Sequence, residues 1–327
     1  MFNFSIGLSF RVMRRTAPFV LFRIAVYFGI AAAYVVVAGT GAGIGWLVGA
    51  FGDEDFRTGA ILWGGAIGFG AVGGILYFLR EYILYLVKAG HIAVMIEVLE
   101  DRPLPRGENQ IEYAWDILAE RFGEVSVLFG IDQIVKAVLR AIIGLVGGAA
   151  SLLPVPALGG LMRIIHTFLK IVAGLMDEVI LAHAIRTRSE DPYSSARAAL
   201  VLYSQNAQPM MVNAAWLTIV SWVIALAVFF VMLAPAAFVV WVLPGTFSTA
   251  TFVFAVLFAW AVKAALIEPF VIACMLQAFF SVTEGQVPKS DWIARLGQAS
   301  AKFRKLSEEA SGWAWKGSDA ADGRSPD

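Results

Sequence analysis

The sequence predicts an all-α integral membrane protein with about six transmembrane helices, additional amphipathic helices at the membrane interface, and both termini in the cytoplasm. Two long apolar runs carry most of this prediction. Residues 18–52 contain a single charged side chain, Arg23, and residues 210–262 contain none. Because 18 or more consecutive apolar residues allow a helix to cross a hydrocarbon core of about 30 Å, both runs indicate membrane spans.

The composition supports this class and argues against several others. Hydrophobic residues make up 59% of the 327 residues, charged residues make up 15%, and the mean hydropathy is +0.74. A formal net charge of zero gives no basis for nucleic-acid binding. A single cysteine, Cys274, and three scattered histidines predict no disulfide, metal site or cofactor. Catalytic sequence motifs are absent, so we expect no enzyme.

Six apolar segments are candidates for the spans. The third and fourth carry several charges, so they are either full spans around a polar interior or a re-entrant hairpin. Between the second and third, residues 108–122 predict an amphipathic cytoplasmic helix. Its apolar face consists of Ile111, Trp115, Leu118 and Phe122. The six segments are approximately 18–39, 59–79, 125–153, 158–185, 211–233 and 248–270.

The distribution of lysine and arginine predicts the orientation. These residues precede the first segment, follow the second, fourth and sixth, and are represented in the opposite loops by Arg57 alone. Under the positive-inside rule, this asymmetry places both termini in the cytoplasm. We therefore expect an integral protein of the plasma (inner) membrane.

The regions outside the spans are predicted from their charge pattern. Residues 1–17 form an interfacial N-terminal segment, and residues 18–283 form the helical membrane domain. Residues 284–310 predict a basic amphipathic helix that lies on the anionic cytoplasmic leaflet. A disordered tail, 311–327, follows. The apolar side of the basic helix contains Trp292, Leu296, Phe303 and Leu306.

Charged residues inside the predicted spans are the candidates for function. A charge at the bilayer centre costs roughly 2.5–3.5 kcal/mol, so such groups should face one another or a wet cavity. The functional interpretation is a substrate-binding cleft or polar pathway between segments three, four and six. The alternative is a set of structural ion pairs. The candidates are Asp132, Lys136, Arg140, Arg163, His166, Lys170, Asp177, Lys263 and Glu268.

Glycines form a second pattern in the first two segments. They recur between residues 39 and 49 and again between residues 64 and 74. Small residues allow membrane helices to approach closely, so we expect tight packing within the chain. Pro235, Pro244 and Pro269 are candidate helix breaks or kinks that would expose backbone groups for a substrate, as in transporters.

The last third of the chain resembles the choline transporter-like family. The resemblance covers approximately residues 161–306 and rests on short motifs. These are His166-Thr-Phe-Leu-Lys170, Ser194-Ser-Ala-Arg-Ala-Ala-Leu200, Asn206-Ala207, Asn213 and Trp241-Val-Leu-Pro244. The N-terminal part departs from the family, which has more spans and a large extracellular loop after the first. The resemblance implies transport of choline or ethanolamine.

Two function classes remain open at this stage. The charged segments favour a transporter of a small polar solute or a lipid headgroup. The glycine faces, the helix at 108–122 and the basic tail favour a non-catalytic membrane scaffold or assembly factor. The expected partners are membrane lipids, a small cationic or zwitterionic substrate, and either a second copy of the chain or another membrane protein.

Overall fold

A computed structural model describes residues 3–104, 109–122, 134–135, 138, 177–187, 191–242 and 248–321. Within these residues every regular element is a helix and no strand occurs, as the predicted fold class requires. Predicted segments 125–153 and 158–185 lie almost entirely outside this part of the chain. The described helices are α1 (Ile6–Arg15), α2 (Ala17–Gly49), α3 (Glu54–Leu99), α4 (Asn109–Phe122), α5 (Asp177–Arg186), α6 (Pro192–Gln205), α7 (Ala207–Val242), α8 (Ser248–Val262), a π-helix (Lys263–Ile267), α9 (Glu268–Thr283), α10 (Ser290–Ala299) and α11 (Ala301–Ala321).

Among the described residues, three helical segments are long and apolar enough to cross a membrane. They are Ala17–Gly49, Ala207–Val242 and Ala250–Thr283, the last of which joins α8, the π-helix and α9. These segments correspond to the first, fifth and sixth predicted spans. They are consistent with an integral membrane protein, whereas the count of six and the orientation remain predictions.

The chain divides into two compact units. The membrane unit consists of Ala17–Lys88 and Val220–Phe270. Large apolar side chains cover its surface: Trp63 is 70% exposed, Val36 64% and Trp241 81%. Small side chains such as Ala261 and Ala265 fill one of its cores. This arrangement suits a lipid environment. In a membrane, close packing of small residues, rather than the exclusion of water, holds helices together.

Glycines bring α2 and α3 into close backbone contact, as the sequence predicts. A Cβ atom on Gly41 would overlap the carbonyl oxygen of Gly64, and one on Gly45 would overlap that of Ala60. At Gly49 a Cβ atom would lie 2.6 Å from the Cα atom of Arg57. Because these α2 glycines recur every four residues, they form one continuous face along the helix.

Pro235 does not end its helix. The predicted fifth span stops at residue 233, but α7 continues through Pro235 to Val242. A proline removes one backbone donor from a helix interior, and membrane helices tolerate this loss because neighbouring groups can satisfy the freed carbonyl. Pro235 therefore does not break the helix, a kink there stays a prediction, and Pro244 lies outside the described residues.

The terminal unit consists of Met1–Thr16, Ala89–Ile219 and Val271–Asp327. Its N-terminal helix, α1, is attached through a polar contact: Ser9 Oγ lies 3.0 Å from Cys274 Sγ and accepts a 2.7 Å hydrogen bond from Gln277 Nε2. Ile6 and Phe10 remain 59% and 63% exposed on the same helix. The predicted interfacial segment thus has an apolar edge that it does not bury against the described residues.

The predicted basic helix consists of two helices rather than one. Ser300 adopts an extended backbone conformation between α10 and α11, and its hydroxyl accepts a hydrogen bond from the Phe303 amide. The buried side chains of Leu296, Phe303 and Leu306 pack within the terminal unit, where α10 and α11 contact α6. Their apolar face is therefore not available to a lipid surface, which corrects the predicted membrane anchor. In addition, α11 extends to Ala321, into the predicted disordered tail.

The predicted amphipathic helix at 108–122 is present as α4, with a rotated apolar face. Ala114, Ile117 and Leu118 are buried, whereas Ile111 and Trp115 are only half-buried. The centre of the buried face is therefore displaced by about one residue from the predicted apolar face. The helix belongs to the terminal unit.

Candidate intramembrane binding site

The site begins with an irregular turn before Pro269. Residues Lys263–Ile267 are π-helical, and the Glu268 amide donates to the Lys263 carbonyl, five residues back. In an α-helix that amide would bond the Ala264 carbonyl instead. Pro269, the next residue, has no amide hydrogen to offer. The wide turn therefore leaves the Ala264 carbonyl without a backbone donor from either residue, and π-bulges of this kind are frequent at functional sites.

Arg23 of α2 occupies the position opened by this turn. Its Nη2 group donates a short hydrogen bond to the Ala264 carbonyl oxygen. The Arg23 side chain is fully buried, with 0% exposure. Arg23 is a lone charge in an apolar helix. Its guanidinium supplies the hydrogen bond that the Ala264 carbonyl does not receive from its own helix.

Glu268 forms the anionic partner of the cluster. Its Oε1 atom lies 2.7 Å from Lys263 Nζ, and its Oε2 atom lies 4.0 Å from Arg23 Nη2. Lys88 of α3 adds a third positive charge that acts on the same carboxylate. Among the described side chains, the Glu268 carboxylate therefore contacts Lys263 and lies 4.0 Å from Arg23, and Lys88 acts on it electrostatically.

Aromatic rings support the cations. The Arg23 guanidinium lies 5.4 Å from the ring centroid of Tyr27, one helical turn along α2. The Tyr27 ring meets Trp260 edge-on, with centroids 5.4 Å apart. Lys263 Nζ lies 5.6 Å from the ring of Trp222. Rings at these distances attract cations electrostatically and fix their positions.

The Arg23 guanidinium is only partly satisfied. Its Nε and Nη1 atoms are buried and have no hydrogen-bond partner among the described residues. Leaving charged donors buried and unbonded costs several kcal/mol, whereas an anionic oxygen placed against both would form charge-assisted hydrogen bonds. These two donor groups are therefore the unsatisfied part of the cluster among the described residues.

The structure tests only part of the predicted site. It brings Lys263 and Glu268 together, and their contact alone fits a structural ion pair. Asp177 begins α5 in the terminal unit, but its side chain is not described. The remaining candidates lie outside the described residues: Asp132, Lys136, Arg140, Arg163, His166 and Lys170.

Arg23 is the residue that the predicted site omits. The signal was visible in the sequence, because Arg23 is the single charge in the first apolar run. A charge six residues into a span resembles a snorkelling residue near the headgroups. Only its burial and its bond to Ala264, which is distant in sequence, identify it as part of an interior cluster.

Charged residues of the terminal unit are paired with one another. Arg102 Nη1 lies 3.0 Å from Glu97 Oε1, and Arg186 Nε lies 2.6 Å from Glu100 Oε1. The Arg186 guanidinium also stacks 4.3 Å from the Phe280 ring centroid. These pairs join α3 to its own C-terminal loop and to α5, so we interpret them as structural. Within the described residues, no group of three histidine, cysteine, aspartate or glutamate side chains could hold a metal ion.

Comparisons with known proteins do not assign the chain to a family. No protein-family model, no curated protein and no solved structure matches it.

Proposed function

We propose that this protein is a multi-pass membrane transporter that binds and moves a small polar solute or a lipid headgroup carrying a carboxylate or phosphate. The observation that supports this proposal is the buried Arg23, whose Nε and Nη1 groups have no partner among the described residues. A purely structural ion pair would satisfy its donors, because unsatisfied buried charge is strongly destabilising. A substrate that supplies the missing oxygen atoms accounts for the arrangement.

The charge of the cluster favours an anionic group on the substrate. The resemblance to the choline transporter-like family implies a cationic or zwitterionic substrate, such as choline or ethanolamine. With Lys263 and Arg23 both beside the single carboxylate of Glu268, a free cation would be repelled. A zwitterionic headgroup remains compatible, because its phosphate could contact Arg23 while its ammonium group lies against the neighbouring aromatic rings.

The proposed topology keeps six spans with cytoplasmic termini in the plasma (inner) membrane. The first part of α3 is apolar and tightly packed on α2, so it supplies the second span. The third and fourth spans are the segments 125–153 and 158–185. In this orientation Arg23 lies about 9 Å from the start of α2, at the level of the cytoplasmic headgroups.

Transport by the purified chain tests this function directly. The protein is reconstituted into phospholipid vesicles, and uptake of radiolabelled glycerol 3-phosphate and flipping of headgroup-labelled phosphatidylglycerol are both measured. We expect movement of at least one probe above empty vesicles and a loss of about tenfold or more in Arg23→Gln, since a charge-assisted hydrogen bond contributes about 1.5–3 kcal/mol.

The matched control is Arg304→Gln. Arg304 is exposed and donates to the Gly297 carbonyl in the terminal unit, so its substitution should leave transport unchanged. Activity indistinguishable from empty vesicles, or equal activity in Arg23→Gln and the unsubstituted protein, contradicts the proposal.

The polar pathway predicted on the third and fourth segments has its own test. Simultaneous neutralisation of Asp132, Lys136 and Lys170 should reduce transport if these segments line the route. Unchanged transport in that variant would show that these three residues do not belong to the site. The site would then consist of the cluster around Arg23 in the membrane unit.

The scaffold alternative has lost much of its support. Its three motivating features are largely engaged within the chain: the α2 glycines contact α3, Ala114, Ile117 and Leu118 of α4 are buried, and the apolar face of α10 and α11 packs in the terminal unit. A stable co-purifying partner that is lost on deletion of residues 290–321, together with absent transport, would restore this alternative.

A further inference from the structure

Helix α1 presents an amphipathic, basic face to its surroundings. Ile6 and Phe10 lie one turn apart on this face, and both are exposed. Arg11 and Arg14 lie beside them on the same side of the helix and are exposed as well. The opposite side of the helix faces the rest of the terminal unit through the buried residues Ser9, Val12 and Thr16.

The positive charges of this face lack acidic partners. Arg11 and Arg14 form no ion pair with any side chain in the part of the chain that the structure describes, whereas Arg15 contacts Asp101 at 3.4 Å. The sequence contains no aspartate or glutamate before Asp53. The exposed side of α1 therefore combines two cationic side chains with two large apolar ones.

Polar contacts hold α1 in this orientation. Gln277 Nε2 donates to Ser9 Oγ at 2.7 Å, and the Ser5 amide donates to Gln277 Oε1 at 3.0 Å. Just before the helix, Asn213 Nδ2 donates to Asn3 Oδ1 at 3.1 Å. These bonds fix the rotation of α1 about its own axis, so its amphipathic face stays turned away from the terminal unit.

The position of α1 in the chain brings this face to the membrane surface. Thr16 alone separates α1 from α2, the first of the three described segments that can cross a membrane. The 33 residues of α2 form a helix about 50 Å long. Because a bilayer measures about 40–45 Å with both headgroup layers included, a membrane-crossing α2 begins at the level of the headgroups. Helix α1 ends at that level.

We propose that α1 is a docking surface for anionic phospholipids, in which Arg11 and Arg14 contact lipid phosphates while Ile6 and Phe10 insert between the headgroups. Charge complementarity identifies the occupant, because an anionic leaflet attracts basic side chains and guanidinium groups bind phosphate with two parallel hydrogen bonds. The terminal unit thus attaches to the leaflet through α1, whereas the apolar face of α10 and α11 is buried within that unit. This inference does not depend on the proposed transport function.

The lipid composition next to α1 is measured with a fluorescent label on Gly7→Cys. Gly7 is exposed on the outward face, and a Cβ atom there would meet only the Ser5 hydroxyl, at 3.8 Å. The native Cys274 is fully buried, so the label reacts at position 7. The full chain is reconstituted into vesicles that contain brominated phosphatidylglycerol or brominated phosphatidylcholine, and quenching of the label by bromine reports contact with each lipid.

We expect phosphatidylglycerol to be preferred over phosphatidylcholine by at least about fivefold, the contribution of one basic side chain at an anionic surface. The preference should fall as the salt concentration rises. Arg11→Gln/Arg14→Gln should reduce it to about one. The matched control is Lys302→Gln/Lys305→Gln, which removes two charges from exposed positions of α11 and should leave the preference unchanged.

A second variant separates the apolar contribution from the charge. In Ile6→Gln/Phe10→Gln both lipids should quench the label less, while phosphatidylglycerol stays preferred. If neither lipid quenches the label with Ile6 and Phe10 in place, α1 does not lie on the membrane and the proposal fails. It also fails if both lipids quench equally, or if the α11 variant abolishes the preference and Arg11→Gln/Arg14→Gln does not.

Discussion

Arg23 donates a hydrogen bond to the carbonyl oxygen of Ala264, a group that Pro269 and the π-helical turn have removed from the backbone ladder of its own helix. The bond joins two apolar segments that are 241 residues apart in sequence. It links a backbone irregularity to a buried charge, and each feature explains the presence of the other.

Replacing Pro269 tests this link. In Pro269→Ala the restored amide can donate to a carbonyl of the preceding turn. The wide turn then loses its cause, and the amide competes with Arg23 for the Ala264 carbonyl oxygen. A proline in a helix interior costs about 3 kcal/mol, so the apparent Tm should stay the same or rise. Transport should fall toward the Arg23→Gln value. Full transport with an unchanged helical register would show that the turn does not depend on Pro269.

The glycine face of α2 predicts a strong contrast between neighbouring positions. Gly45→Ala places a Cβ atom against the Ala60 carbonyl and should lower the free energy of unfolding by about 1–3 kcal/mol. Gly43→Ala meets nothing within 4 Å and should be neutral or stabilising by up to about 1 kcal/mol. Thermal unfolding in detergent measures both. Equal effects at the two positions would contradict the tight α2–α3 contact.

The Lys263–Glu268 pair should behave as a coupled unit. Lys263→Gln or Glu268→Gln alone leaves the other charge without its nearest partner, and because both side chains retain partial exposure we expect a loss of about 1–3 kcal/mol in each. The double variant should lose less than the sum of the two single losses. Unfolding free energies of the four proteins provide the double-mutant cycle, and simple additivity would mean that the two groups do not interact.

Helices α10 and α11 should contribute to folding rather than to membrane attachment. Phe303→Ala removes a side chain that is 1% exposed and should destabilise the terminal unit by about 3–5 kcal/mol. The neighbouring Lys302→Ala, at an exposed position, should change stability by less than about 0.5 kcal/mol. Protease resistance of residues 290–321 reports the difference. If Lys302→Ala instead releases the tail from anionic vesicles while Phe303→Ala has no effect, the tail is a membrane anchor.

Local patterns anticipated much of the fold. The length of the apolar runs predicted the first, fifth and sixth spans, and the four-residue spacing of glycines predicted the close contact of α2 with α3. Both patterns depend only on residues that are near one another in the chain. The same reasoning ended the fifth span at residue 233, before Pro235, and assigned residues 284–310 to the lipid surface. Both errors have one cause: whether a proline is tolerated or an apolar face is free depends on what packs against it.

The candidate site was only half predictable for the same reason. Lys263 and Glu268 are close in sequence, but a spacing of five places two side chains on different faces of an α-helix, and the π-helical turn is what brings them into contact. In the sequence, Arg23 is one isolated charge near the start of a span. Its role appears only when α2 is packed against the π-helical turn.

The sequence by itself determined that the chain is helical, enters a membrane, packs through glycines and carries a charge in its first apolar run, because these properties are encoded in local composition and periodicity. Tertiary structure alone decided that Arg23 is buried and that it bonds Ala264. Burial and hydrogen-bond partners depend on contacts between segments far apart in the chain, and no local pattern specifies them.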